Sequence, residues 1–269
     1  MILASSSDPA TAGAFLTHGA AEFDSALFGT RQAIPTGSVR DYYRWASGGR
    51  IDVTGKVVGV VRLPRSMAFY GDNSWGLSGR RESCVYGAVK DALRLCERDV
   101  DWSLFDGDHD GYVDVLWFVH AGMGGESTPN DARHLWSITD CLTRDPGSSL
   151  PFLTSQLIPG SSTEYFKISL FSSLPEISGI NPNVRSEIGV FCHEFGHALG
   201  LPDLYDTSTL GSGANVGPGY WSLMSTGGSR GQADHPRIPP APPGRGWIHL
   251  RVRDAGAGGG AATPPPPPL

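Results

Sequence analysis

The pattern of apolar and polar positions predicts a chain that mixes helices and strands. From Glu82 to Arg98, the residues Val85, Val89, Ala92, Leu93 and Cys96 recur at helical spacing, which predicts an amphipathic helix with one core-facing side. Phe23 to Gly29 predicts a short helix, and VRDYYRWASGG a second one capped by Ser38. The β-branched run Ile51 to Leu63, closed by Pro64, reads as a strand or hairpin. Val113 to His120 (VDVLWFVH) predicts a buried strand, and Tyr165 to Phe171 another. Met1-Ile2-Leu3 reads as a remnant strand in an otherwise poorly structured segment, 1–22, and residues 127–163 read mostly as loop. The remaining strong period is the stretch Val190 to Asp206, VFCHEFGHALGLPDLYD, with Ser186 as its expected helix cap and Glu187 in its first turn.

That stretch carries the chemistry. His193 and His197 are four residues apart, so on a helix they lie on one face and can grip one ion. Neutral imidazole suits zinc, and a catalytic zinc keeps three protein ligands and an open position. Glu194 lies beside a ligand and off the ligand face, where it can handle the proton of a water. Gly200 can end the helix in the left-handed conformation, Pro202 forbids its continuation, and Asp203 returns as the third ligand. A chance match of a bare H-E-x-x-H on an amphipathic helix is common, but the extension through Gly200 and Asp203 disfavours that reading.

Composition then narrows the classes. The length of 269 residues suits one large domain, or two subdomains flanking a cleft, and a net charge of -6 without a basic run excludes a nucleic-acid partner. No apolar stretch is long enough for a transmembrane segment. Residues 1–15 show neither the charged start nor the apolar core of a secretory leader. Cys84 and Cys96, on one predicted helix, would be about 18 Å apart and cannot pair with each other. Cys192 reads as a buried free thiol. Upstream of the strand at 113–120, Asp106, Asp108, Asp110 and Asp114 flank Gly111 in an array suited to a hard cation, a candidate calcium site. It departs from an EF-hand because Trp117 stands where a bidentate glutamate would be. His120 and Glu126, around the Ala-Gly-Met-Gly-Gly turn, could line a cleft, although a lone histidine at a strand end is more often structural.

Three segments, GSVRDYYRWASGGRIDVTGKVVGVVRLP, VDWSLFDGDHDGYVDVLWFVHAG and EIGVFCHEFGHALGLPDLYD, are followed by GYWSLMSTGG. In that order they resemble the immune inhibitor A family of bacterial metallopeptidases, a metzincin-like group, from Phe23 to Gly228. The resemblance implies an α/β (α+β) fold of zincin type, a twisted mixed sheet with an active-site helix and a small C-terminal subdomain. It implies a secreted endopeptidase with one catalytic zinc, structural calcium, protein or peptide substrates and a monomeric state. Carried over, His193, His197 and Asp203 hold the metal, Glu194 is the catalytic base, Met224 forms the Met-turn floor, and the four aspartates form the acidic segment. Tyr205 and Tyr220 are candidates for assisting the oxyanion. The expected organisation is a segment 1–22, a catalytic domain 23–228, an atypical remnant 229–254 and a low-complexity Gly/Ala/Pro tail 255–269, as a truncated or frame-shifted reading frame would leave.

The reaction this predicts is hydrolysis of a peptide bond by a zinc-activated water, with Glu194 as general base. The alternative is a catalytically inactive, calcium-binding homologue that acts as a binding module. A serine or cysteine hydrolase is disfavoured, because no G-x-S-x-G elbow or cysteine nucleophile signature is present.

Overall fold

The computed structural model describes residues 1–6, 16–30, 37–78, 82–177, 179, 181, 183–207 and 217–228. The expected remnant 229–254, the tail 255–269 and a small C-terminal subdomain lie outside these residues, as does most of the loop 207–219. In chain order the main elements are β1 (Ile2–Ser5), α1 (Ala20–Phe28), α2 (Val39–Ala46), β2 (Gly59–Arg62), α3 (Met67–Gly71) and α4 (Val85–Cys96). They are followed by β3 (Leu116–Met123), β4 (Ile138–Cys141), β5 (Phe152–Leu157), β6 (Tyr165–Ile168), β7 (Leu170–Ile177) and α5 (Ile188–Ala198).

The main sheet has the order β2-β1-β3-β7-β4, and β5 pairs with β6 in a separate two-stranded sheet. β2, β1, β3 and β7 are parallel, and β4 closes the edge antiparallel to β7. This is the expected mixed α/β architecture. The strands alternate between two cores. Ile2, Ala4, Leu116, Phe118 and Phe171 face one side with α4, while Leu3, Trp117, Val119 and Leu174 face the other with α1, α2 and α5. A strand buried on both faces needs an unbroken apolar run, which is why LWFV reads as it does. Each large side chain fully buried there contributes on the order of 1.5–3 kcal/mol.

Several boundaries differ from expectation for physical reasons. Ile2–Ser5 is no remnant: it is a central strand between β2 and β3, too short to announce itself but paired on both sides. Only Gly59–Arg62 of the run from Ile51 pairs, since β1 offers four residues of partner. The run at Tyr165 divides at Ser169, so that β6 joins β5 and β7 joins the main sheet. Within 127–163, expected as loop, lie β4 and β5. Helix α5 begins one residue later than predicted. Glu187 is the N-cap, while Ser186 is buried and its N–H bonds the Glu176 carbonyl at 2.7 Å. All four cysteines are free thiols, with Cys84 and Cys96 at opposite ends of α4 and Cys192 buried as expected. Among the described residues no helix is long and apolar enough to cross a membrane.

Two devices brace the helix that carries the histidines. Ser38 and Asp41 form a reciprocal capping box at the start of α2, with bonds of 3.1 and 3.2 Å. From that helix the Tyr43 hydroxyl donates to the Cys192 carbonyl of α5 at 2.6 Å, and its ring meets Phe195 edge-on at 4.9 Å. On β7 the carboxylate of Glu176 is wholly buried, and four donors satisfy it. Oε1 accepts from the Thr17 N–H, the Thr17 hydroxyl and the His18 N–H, and Oε2 accepts from Gly122 N–H at 3.3 Å. That one side chain ties β3, β7 and the approach to α1 together. Glu176→Gln sets an amide NH2 against these donors and should lower stability by about 1–3 kcal/mol. A urea denaturation midpoint equal to that of the parent would refute this.

Candidate metal centre

Local chemistry explains how the helix presents its ligands. α5 ends in a Schellman turn: Gly200, at φ +86°, donates to His197 O at 2.8 Å, and Leu201 N–H donates to Gly196 O at 3.0 Å. The reversal turns the Leu201 carbonyl back towards the helix, where it accepts from His197 Nδ1 at 2.8 Å. The Leu223 carbonyl does the same for His193 Nδ1, also at 2.8 Å. A carbonyl only accepts, so both Nδ1 atoms carry the proton and both Nε2 atoms present bare lone pairs.

Those lone pairs converge. The two Nε2 atoms are 3.1 Å apart, and Asp203 Oδ1 lies 3.2 Å from His193 Nε2 and 3.4 Å from His197 Nε2. Such distances would be ion pairs if an imidazole were protonated. However, burial holds the His193 pKa below its ordinary value, and the Nδ1 protons are committed to carbonyls. Asp203 Oδ1 is buried and has no hydrogen-bond donor. His193, His197 and Asp203 are grouped so that they could hold a cation, and two imidazoles with one carboxylate suit zinc. The expected ligand set is thus brought together, and its donor chemistry fits the metal.

Glu194 points elsewhere on the helix and is buried. Burial pushes its carboxyl up to about 8, against the Thr139 hydrogen bond, with the charges of Glu126 and Asp203 adding to the rise. Thr139, on β4, places its hydroxyl 2.8 Å from Glu194 Oε2, and the same oxygen is 2.8 Å from Ser172 Oγ on β7. A polar seam therefore joins the helix to the edge of the sheet. Sequence reasoning missed Thr139 and Ser172, because the contact spans 55 residues and no local period marks it.

Met224 lies against the histidine helix at Gly196. It is buried, and a Cβ built on Gly196 would come 2.5 Å from its Sδ. The Met224 carbonyl accepts the Leu204 N–H at 2.7 Å, which links the Met-containing turn to the limb that carries Asp203. Of the two tyrosines, Tyr205 is half-buried beside Asp203, and burial followed by that residue's charge and hydrogen bond push its pKa up to about 12. Tyr220 sits in the exposed turn Gly219–Trp221. His120 is buried within the sheet with its Nδ1 at 3.2 Å from the Ala121 carbonyl, so it does not line the cleft.

The acidic segment forms a second group at the approach to β3. Asp106, Asp108 and Asp114 bring oxygens within 4.8 Å of one another, whereas Asp110 is outside that group. Its Oδ1 accepts the Tyr112 N–H at 2.7 Å and shapes the turn instead. Gly111, at φ +86°, makes the reversal. Burial raises the Asp114 pKa, and the charges of Asp108, Asp106 and Asp110 add to it.

Gly196→Ala tests the link between floor and ligands. The added methyl can be accommodated only by moving Met224, and the neighbouring Leu223 carbonyl orients His193. The variant should keep its helix content yet bind zinc about 10-fold more weakly, the cost of disturbing an orienting partner. Equal affinities in a competitive chelator titration would contradict this.

The family model described as Immune inhibitor A peptidase M6, catalytic domain, matches residues 21–241. The chain is 31% identical over 212 residues to the pre-pro-metalloprotease PrtV of Vibrio cholerae serotype O1 (strain ATCC 39315 / El Tor Inaba N16961), covering 72% of this chain and 22% of that protein. It is likewise 31% identical over 212 residues to Immune inhibitor A of Bacillus thuringiensis subsp. alesti, covering 70% of this chain and 28% of the relative. The chain thus spans about a quarter of the length of these curated relatives. The mixed sheet with its histidine-bearing helix is consistent with a zincin-like peptidase domain. With the match running through the histidine helix, Asp203 and the Met224 turn, this chain belongs to the immune inhibitor A peptidase family, M6, and shares its catalytic domain.

Proposed function

We propose that this domain is a zinc-dependent endopeptidase in which His193, His197 and Asp203 hold the metal and Glu194 is the general base. The observation that carries the reading is the convergence of three unprotonated acceptors beside a buried, oriented carboxyl group. Zinc held there would supply acidification of a water and polarisation of the scissile carbonyl. The protein's own part is to orient and to move protons. The Leu201 and Leu223 carbonyls fix the two rings. Glu194 takes a proton from the attacking water on Oε1 or Oε2 and returns it to the leaving amide nitrogen. Thr139 holds Oε2 during both transfers.

The sheet also supports a substrate geometry. Among the described residues β4 is an edge strand, hydrogen-bonded on one side only, to β7, and its Thr139 meets Glu194. An extended peptide added along such an edge would present its backbone to the site by strand addition, largely independent of side-chain identity. A structural calcium at Asp106, Asp108 and Asp114 belongs to the same proposal and would contribute stability, with no part in the chemistry. The name of the Vibrio relative carries a pre-pro prefix, the mark of a leader and a propeptide, and extracellular action is proposed here on that ground.

The test uses the full chain with zinc added. Glu194→Gln should bind zinc with the parent's stoichiometry and cleave casein about 10²–10⁴-fold more slowly. The parent's activity should disappear with a chelator and return with zinc. A Glu194→Gln variant with full activity would sink the proposal. A zinc-loaded parent without turnover would favour the non-catalytic binding module.

A further inference from the structure

Glu126 lies close enough to Glu194 for its charge to act on that carboxyl group, and its own surroundings are specific. It lies in the single turn Gly125–Ser127 that follows β3. Both of its oxygens are given to one residue: Oε2 accepts the Ser137 N–H at 3.1 Å and Oε1 accepts the Ser137 hydroxyl at 2.6 Å. A carboxylate so engaged has little left to offer a cationic substrate side chain. Bonds to a charged acceptor are roughly twice as strong as neutral ones, so the contact is suited to fixing a backbone position.

The turn is built to allow this. A Cβ on Gly124 would lie 2.3 Å from Glu126 Oε1, so only glycine lets the carboxylate fold back over the chain. A Cβ on Gly125 would lie 2.6 Å from Trp75 Cδ1 and 3.1 Å from Trp136 Cε3. Trp75 and Trp136 meet edge-on at 5.9 Å, and Gly125 N–H bonds the Leu135 carbonyl at 2.8 Å. Glu126 is therefore held on a rigid base.

What it holds matters because of where Ser137 is. Ser137 immediately precedes β4, whose pairing with β7 starts at Ile138 and includes Thr139 opposite Ser172. An edge strand has a neighbour on one side only, so an anchor at the residue just before it limits tilt and slide. Two residues on, the Thr139 hydroxyl meets Glu194 Oε2. We infer that Glu126 is a positioning residue for peptide-bond hydrolysis: through Ser137 it fixes the start of β4, and thereby the placement of the Thr139 hydroxyl against the general base. The inference rests on the peptidase reading above.

The experiment is a double-mutant cycle on the full, zinc-loaded chain, with kcat, KM and zinc content measured on one peptide substrate. Glu126→Ala should lower kcat about 10-fold, with KM changed by less than about 3-fold and zinc content kept. Thr139→Ala should lower kcat by a similar factor. The double variant should be within about 2-fold of Thr139→Ala alone, because both act along one path. Glu126→Gln, which keeps the shape and one acceptor, should lose about 3-fold in kcat, and it carries the test if Glu126→Ala does not fold. Losses that multiply in the double variant, or parental kcat in Glu126→Ala or Glu126→Gln, overturn the inference. If Glu194→Gln is inactive while the Glu126 variants are unimpaired, only this inference fails. If Glu194→Gln is fully active, the peptidase reading fails and this inference with it.

Discussion

Everything at the centre of this domain depends on two backbone carbonyls. By accepting the Nδ1 protons of His193 and His197, Leu223 and Leu201 decide which ring nitrogens stay bare, and they aim both towards Asp203. A different tautomer would put a proton into the gap and remove the cation site. The carbonyls come from opposite sides. Leu201 is delivered by the Schellman turn at Gly200, and Leu223 by the turn that also carries Met224. The helix supplies the ligands, but the loops that follow it set their chemistry.

The sheet supplies the rest. α5 is braced by the Tyr43 hydroxyl from α2 on one side and joined through Thr139 to β4 and β7 on another. The Thr139 hydroxyl touches both the carbonyl and the side chain of Glu194, each at 2.8 Å, so this carboxyl group is held by the edge of the sheet as well as by its own helix. This couples the proton-handling group to the strand along which a peptide would lie. The buried Glu176 does comparable work further along β7, where backbone N–H groups from separate segments share one carboxylate. In each case a polar side chain inside an apolar layer has a hydrogen-bond partner from another segment.

How much was legible in the residues follows from the range of each interaction. The spacing of His193 and His197, the left-handed Gly200 and the return of Asp203 are local, and the structure brings them together as the spacing implies. The α2 cap at Ser38 is local too, and it appears as predicted. At α5 the cap prediction chose Ser186, whose N–H is drawn instead to Glu176, a partner ten residues upstream on another element. β1 went unrecognised as a central strand because four residues carry too little periodicity, and only its two neighbours make it one. Asp110 looked equivalent to the other aspartates, yet the turn leaves it outside the group formed by Asp106, Asp108 and Asp114.

The sequence by itself therefore determined the grouping of His193, His197 and Asp203, the helix that carries the histidines, the Gly200 reversal and the family, because each rests on residues within a few turns of one another. Tertiary structure alone decided the His193 tautomer, the support of Glu194 by Thr139, and the contact of Glu126 with Ser137 at the start of β4. The His193 and Thr139 contacts join residues 30 and 55 positions apart, and the Glu126 contact joins two different elements, so no local pattern encodes those partners; only the tautomer of His197, set by Leu201 four residues on, is local.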